Sequence, residues 1–147
     1  LKIIAHRANL DGPSKFENQP RMIKEAIHLG YDVEVDVRFI SGHLWLGHDS
    51  AQYLMSEDFI YEVMPHTWFH CKNLEAMEYL LSIGANCFWH ESDTYTLTSK
   101  GYIWGYPGTP LNRISVCVLP ELDDSSVNDT EYICTDYPQR YKKQAIS

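Results

Sequence analysis

The run Asp32–Gly47, DVEVDVRFISGHLWLG, constrains this chain more than any other stretch. Glu34 and Asp36 alternate with Val33, Val35 and Val37, a two-residue period that a β-strand converts into an apolar face and a carboxylate face. Ser41-Gly42 reads as a two-residue hairpin turn. Such a loop sets Ile40 opposite His43, Arg38 opposite Trp45 and Asp36 opposite Gly47, so His48 returns to the level of Val35 beside the two acids. Asp49 follows it and is placed to orient the ring. Taken alone, the Glu-x-Asp strand also fits a half-exposed strand with a solvated polar face. The returning imidazole turns the balance, because two neighbouring acids repel and are usually held by a cation or a shared proton.

Around this hairpin, short apolar runs alternate with turn signals and two helical segments. The strands predicted are Lys2–Arg7, Asp32–Phe39, His43–Gly47, Thr67–Cys71, Asn86–His90, Tyr102–Trp104, Ile114–Val118 and Glu131–Thr135. Gln19–Leu29 carries Pro20 in its first turn and stops at Gly30. Leu74–Ile83 sets Leu74, Met77, Leu80 and Leu81 on one stripe and stops at Gly84. Gly105–Asn112 and the polar stretch Asp123–Thr130 read as loops. This rhythm predicts an α/β barrel or an open parallel sheet in a single domain spanning residues 1–147. At 147 residues the chain is short for an eight-stranded barrel, so helices must be lost or shortened, with large aromatics filling the interior.

A net charge of −8, with no basic cluster longer than Lys142-Lys143, argues against a nucleic-acid partner. It leaves room for an anionic ligand held through a metal ion, since the ion supplies the positive charge locally. Cys71, Cys87, Cys117 and Cys134 form no CxxC pair and sit in apolar runs, the pattern of free core thiols. Without a signal-peptide pattern or a run of membrane-spanning length, the expected setting is reduced and cytoplasmic.

Three further groups fall at strand ends. His6-Arg7 closes the first strand, where a guanidinium fork and an imidazole beside two acids look like a phosphate site. His70 and Lys72 alternate to one side at the end of Thr67–Cys71, and His90-Glu91 ends the next strand. For the last two of these pairs, site and rim both stay open from spacing alone.

Ile4-Ala5-His6-Arg7, Glu17-Asn18, Glu34-x-Asp36 and His48-Asp49, in that order, resemble the glycerophosphodiester phosphodiesterase family. Ile133-Cys134-Thr135-Asp136-Tyr137-Pro138 is similar to that family's last strand, so the resemblance runs nearly end to end. The stretches from Phe88 to Glu91 and from Thr98 to Gly108 resemble a compact bacterial subgroup. The resemblance implies a reduced, irregular TIM-type barrel of the phosphatidylinositol phospholipase C type, with seven or eight strands and few outer helices. It implies that His6 and His48 act as general acid and base, that Arg7 and Lys72 bind the substrate phosphate, and that Glu34 and Asp36 hold a divalent ion. Mg²⁺ or Ca²⁺ is the ion expected, with Mn²⁺ a further candidate, and the partner is a small-molecule phosphodiester. Family members use a neighbouring hydroxyl of the substrate as first nucleophile. Where the family carries a third metal-binding Glu, this chain has His70, a neutral and softer donor that lowers affinity for Mg²⁺ or Ca²⁺ relative to Mn²⁺ or Zn²⁺. Alternatives kept open are a lyase outcome, a sugar-phosphate or lipid head group of surface-polysaccharide metabolism, and a non-catalytic phospholigand-binding barrel.

Overall fold

A computed structural model describes residues 1–123 and 129–146, the side chains of residues 143–146 excepted. In chain order the elements are β1 (Lys2–His6), α1 (Pro20–His28), β2 (Asp32–Ile40), β3 (His43–Leu46) and β4 (Tyr53–Met55). Then follow α2 (Glu57–Val63), β5 (Thr67–Cys71), α3 (Leu74–Ser82), β6 (Asn86–Phe88) and β7 (Tyr95–Leu97). The chain finishes with β8 (Ile103–Gly105), β9 (Ser115–Val118), β10 (Tyr132–Thr135) and α4 (Pro138–Ile146). Among the predicted strands, Asn86–His90 is two residues too long, and β4, α2, β7 and α4 were not predicted at all. Of the predicted loop Asp123–Thr130, residues 124–128 lie outside the described residues.

The ten strands form one mixed sheet with the path β4-β3-β2-β1-β10-β9-β8-β7, while β5 joins the other edge of β2 and carries β6. Neighbours from β6 through β5, β2, β1, β10 and β9 to β8 run parallel, and the β2/β3, β3/β4 and β7/β8 pairs run antiparallel. The reduced TIM-type barrel of seven or eight strands is therefore not the fold. Among the described residues no strand ladder joins β6 to β7 or β8, and the sheet stays open. A barrel covers each strand with the helix that follows it, whereas the connections after β6 and β8 contain no α-helix. The edge of β6 is satisfied by a turn instead. Ser99 N donates to Cys87 O at 2.9 Å, and Ser99 Oγ accepts from Cys87 N at 2.8 Å while donating to Ala85 O at 2.9 Å.

β2 is the strand that organises the rest. Its first half pairs β1 (His6 opposite Glu34), its second half pairs β3 on the same side, and β5 lies along its other edge (Asp36 opposite His70). The hairpin register is the predicted one, with Ile40 opposite His43 and Arg38 opposite Trp45. Ser41 and Gly42 both take positive φ (52° and 82°), as a two-residue primed turn demands. Val33, Val35 and Val37 pack outward on Ile23 and Ala26 of α1 and on Ala76 and Leu80 of α3. On the opposite side, Ile4, Trp68, Phe88, Trp104, Val116, Val118 and Cys134 form a second buried cluster.

Asn73 starts α3 by accepting from Ala76 N at 3.0 Å, and the same side chain pairs with both backbone groups of Phe39 (3.1 and 3.0 Å). The stripe on α3 differs from the predicted one: Leu74 and Leu81 are exposed, and Ala76 and Leu80 are buried. Leu74 stands at the first helical position next to the cap, and Leu81 lies about 100° around from the buried Leu80. All four cysteines are free and buried. Among the described residues no helix is long and apolar enough to cross a membrane.

Candidate active site

β1 ends at His6, and Arg7 and Ala8 then take left-handed conformations (φ 52° and 60°). Two successive non-glycine residues there cost on the order of 1–3 kcal/mol each, so the surroundings must hold them. They do so through Ala8 N to Ala5 O (3.1 Å), Asn9 N to His6 O (2.9 Å) and Asn18 N to Arg7 O (2.9 Å). The turn aims Arg7 N at Glu34 Oε1, 3.0 Å away.

His6 Nδ1 lies 2.8 Å from Asp136 Oδ1, just beyond the end of β10, and its Nε2 lies 3.9 Å from Glu34 Oε1. With Nδ1–H donated to Asp136, Nε2 is the nitrogen left for chemistry. Asn9 Nδ2 donates to Asp136 Oδ1 (2.9 Å) and to Glu17 Oε2 (2.7 Å), and Glu17 reaches Arg7 Nη1 at 3.4 Å. Burial alone would lower the His6 pKa. The bond to Asp136 and the charges of Glu34 and Asp136 outweigh burial and raise it. Burial likewise pushes Asp136 up, but the His6 bond and charge hold its carboxyl below the usual range.

Glu34 and Asp36 are each only 1% exposed. His70 Nδ1 stands 3.3 Å from Asp36 Oδ1 and 3.6 Å from Glu34 Oε2. One potential ligand atom from each of the three falls within 4.8 Å of the others, the span a single ion can close. Asp36 Oδ1 is buried without a hydrogen-bond partner, while Oδ2 accepts from Asn18 Nδ2 at 3.1 Å. An orphaned carboxylate oxygen beside an imidazole is what a divalent cation would satisfy, so the donor set fits a metal. Lys72 Nζ at 3.6 Å from Oδ1 and Arg7 Nε at 3.4 Å from Oδ2 also face Asp36. Burial would raise the Asp36 pKa; the neighbouring His70 imidazole, the Asn18 bond and the Lys72 charge carry it well below the usual carboxylate range. His70 is pushed down by burial and up by the adjoining carboxylates of Asp36 and Glu34, and the net direction is up.

His48 arrives from the β3 side, where Gly47 N donates to Asp36 O at 2.9 Å, and its Nδ1 sits 2.8 Å from Asp49 Oδ1. Its side chain is 38% exposed against 14% for His6, so the two histidines face solvent unequally.

One cavity of about 210 Å³ is lined by all seven residues singled out from the sequence: His6, Arg7, Glu34, Asp36, His48, His70 and Lys72. His90, Glu91, Trp104, Tyr106 and Val118 complete its wall. His90 and Glu91 thus line the same cavity as those seven. His70 stacks on Phe88 and on His90, both at 4.8 Å, and His70 Nε2 and both His90 ring nitrogens are buried without partners. Burial and the charges of His70 and Lys72 lower the His90 pKa. A larger hollow, about 650 Å³ beside Leu1, Leu29, Pro65 and Tyr132, contains no metal-ligating cluster among the described residues, so size does not locate the chemistry.

Sequence reasoning assigned no role to Asn9, Asn18, Asp136, Trp104 or Tyr106. Asn18 and Asp136 stood inside the recognised segments, and that was their signal. Asn9 had none, because its place depends on the left-handed turn at Arg7-Ala8. Comparison with protein-family models, with curated proteins and with solved structures finds no match to this chain.

Proposed function

We propose that this chain is a divalent-metal-dependent phosphodiesterase acting on a glycerophosphodiester-type or related small diester, in keeping with the family its motifs resemble. One observation carries the reading. Two histidines, each paired with its own carboxylate, face the same small cavity as a two-carboxylate, one-imidazole ligand set. A binding module has no need of two proton-transfer groups beside a metal site.

In this reading Glu34, Asp36 and His70 hold the ion, which supplies Lewis acidity to the phosphoryl group. His6 presents Nε2 to the cavity with its orientation fixed by Asp136, and His48 approaches from the loop that follows β3. One imidazole takes the proton of the attacking hydroxyl, and the other gives a proton to the departing alcohol oxygen. Arg7 and Lys72 offset charge on the non-bridging oxygens.

The test is a panel of phosphodiesters assayed in parallel with Mg²⁺, Ca²⁺, Mn²⁺ and Zn²⁺ and with a chelator. Metal-dependent release of an alcohol from at least one diester is expected, with loss of that activity in His6→Ala. Ion binding with no turnover of any diester would make the cavity a phosphoryl-binding site instead.

A further inference from the structure

Three successive residues of β2 locate the two groups that approach the ion site from other elements. Asp36 O accepts from Gly47 N (2.9 Å), Val37 O accepts from Lys72 N (2.8 Å), and Arg38 Nη2 donates to His48 O (2.9 Å). By strand alternation Arg38 shares the face of Glu34 and Asp36. It is half-buried and does not line the cavity. The loop that carries His48 has little other support. It leaves β3 at Gly47 (φ 146°), where a Cβ would run into the Ser50 carbonyl, and it closes through Gln52 N to Leu46 O at 2.8 Å. The imidazole's own partner, Asp49, is 94% exposed and anchors it weakly.

We propose that Arg38 is a positioning residue, whose guanidinium fixes the His48 carbonyl and thereby sets the imidazole over the ion site. The inference rests on His48 being a proton-transfer group. A charged donor to a backbone carbonyl forms one of the stronger single hydrogen bonds, and this one acts at the residue whose side chain must be aimed. Without it the loop keeps its ends, through Gly47 and Gln52, and loses its hold on the residue between them.

Arg38→Met keeps the aliphatic stem and removes the donor; Arg38→Lys keeps one donor. With the ion at saturation, Arg38→Met is expected to lose roughly tenfold to a hundredfold in kcat, the scale of a reactive group displaced by about an ångström. KM and the Kd of the ion should stay near the parental values, and Arg38→Lys should recover part of the loss. A uniform loss of kcat, ion affinity and melting temperature, with no recovery in the lysine variant, would make Arg38 merely structural and overturn the proposal. Parental kcat in Arg38→Met would also overturn it. Amide hydrogen exchange supplies a readout that needs no turnover. In Arg38→Met the amides from His48 to Ala51 should exchange faster while those of β1 and β5 stay unchanged, and unchanged loop exchange would sink the clamp even in an inactive protein. Should the parent cleave no diester while the loop still loosens in the variant, the clamp stands and the phosphodiesterase reading falls.

Discussion

His6 Nδ1 and Asp136 Oδ1, 130 residues apart in sequence, meet at 2.8 Å where the neighbouring strands β1 and β10 end. The pair ties the first strand to the last, and Asp136, together with the Glu34 charge, raises His6 against the downward pull of burial. Asp136→Asn should therefore lower the pKa of His6. In a plot of log kcat/KM against pH, the limb that His6 controls should move to lower pH. Movement of the acidic limb would make His6 the base, and movement of the alkaline limb would make it the acid. Both limbs staying fixed would mean that His6 does not transfer a proton.

The same carboxylate, with Asp36, sets a stability dependence whose sign follows from the direction of the shifts. Both groups have native pKa values below those of the unfolded chain. Their contribution is present above the unfolded carboxylate range, near 4, and is lost as pH falls through the native values. Measured in chelator, the melting temperature should hold between about pH 5 and pH 6 and fall increasingly below about pH 4. His6 and His70, whose pKa values are raised, act oppositely. Their contribution is full below the unfolded value, near 6.5, and is lost as pH rises through the native values. A melting temperature still flat at pH 3 would contradict the ionic character assigned to the cluster.

Metal binding separates the ligands from their neighbours. Glu34→Gln removes one anionic donor and should weaken ion affinity on the order of tenfold or more while the fold, read by circular dichroism, is retained. His70→Glu should shift preference from Mn²⁺ or Zn²⁺ toward Mg²⁺ or Ca²⁺, because it replaces a borderline nitrogen with a hard oxygen. Isothermal titration of each ion against both variants checks this without recourse to activity. An unchanged profile in His70→Glu would place His70 against substrate instead of metal.

Much of this site was legible because it hangs on one strand. Alternation put Glu34 and Asp36 on one face, and Ser41-Gly42 fixed the register that returns His48, both observed. His70 lies opposite Asp36, a juxtaposition that follows once β5 is known to join β2, but pairing between distant strands is not written in either strand. Sheet closure was illegible for the same reason. The period along a strand says which face is apolar, not whether the last edge finds a partner, and here Ser99 satisfies β6 where a strand was expected. Tyr95–Leu97 gave no apolar inward face to read, since its apolar residues Tyr95 and Leu97 are both exposed and the residue between them is Thr96.

The paired histidines are where the functional reading is most exposed. His6→Ala and His48→Ala should each lose on the order of 10²–10⁴ in turnover, the usual worth of a positioned acid or base. Because both act in one displacement, the double variant should lose less than the product of the single losses. The environments of the two rings differ, with His6 buried against Asp136 and His48 more open beside exposed Asp49. A leaving group such as nitrophenolate needs little protonation, so a nitrophenyl diester should restore activity selectively to the variant that lacks the general acid. The restored variant should also lose the alkaline limb of its pH profile, since no group then has to be protonated. The other variant should stay slow with every leaving group, because no base remains to activate the attacking hydroxyl. Parental rates in both single variants, on every diester the parent cleaves, would end the two-histidine mechanism and leave the cavity as a binding site.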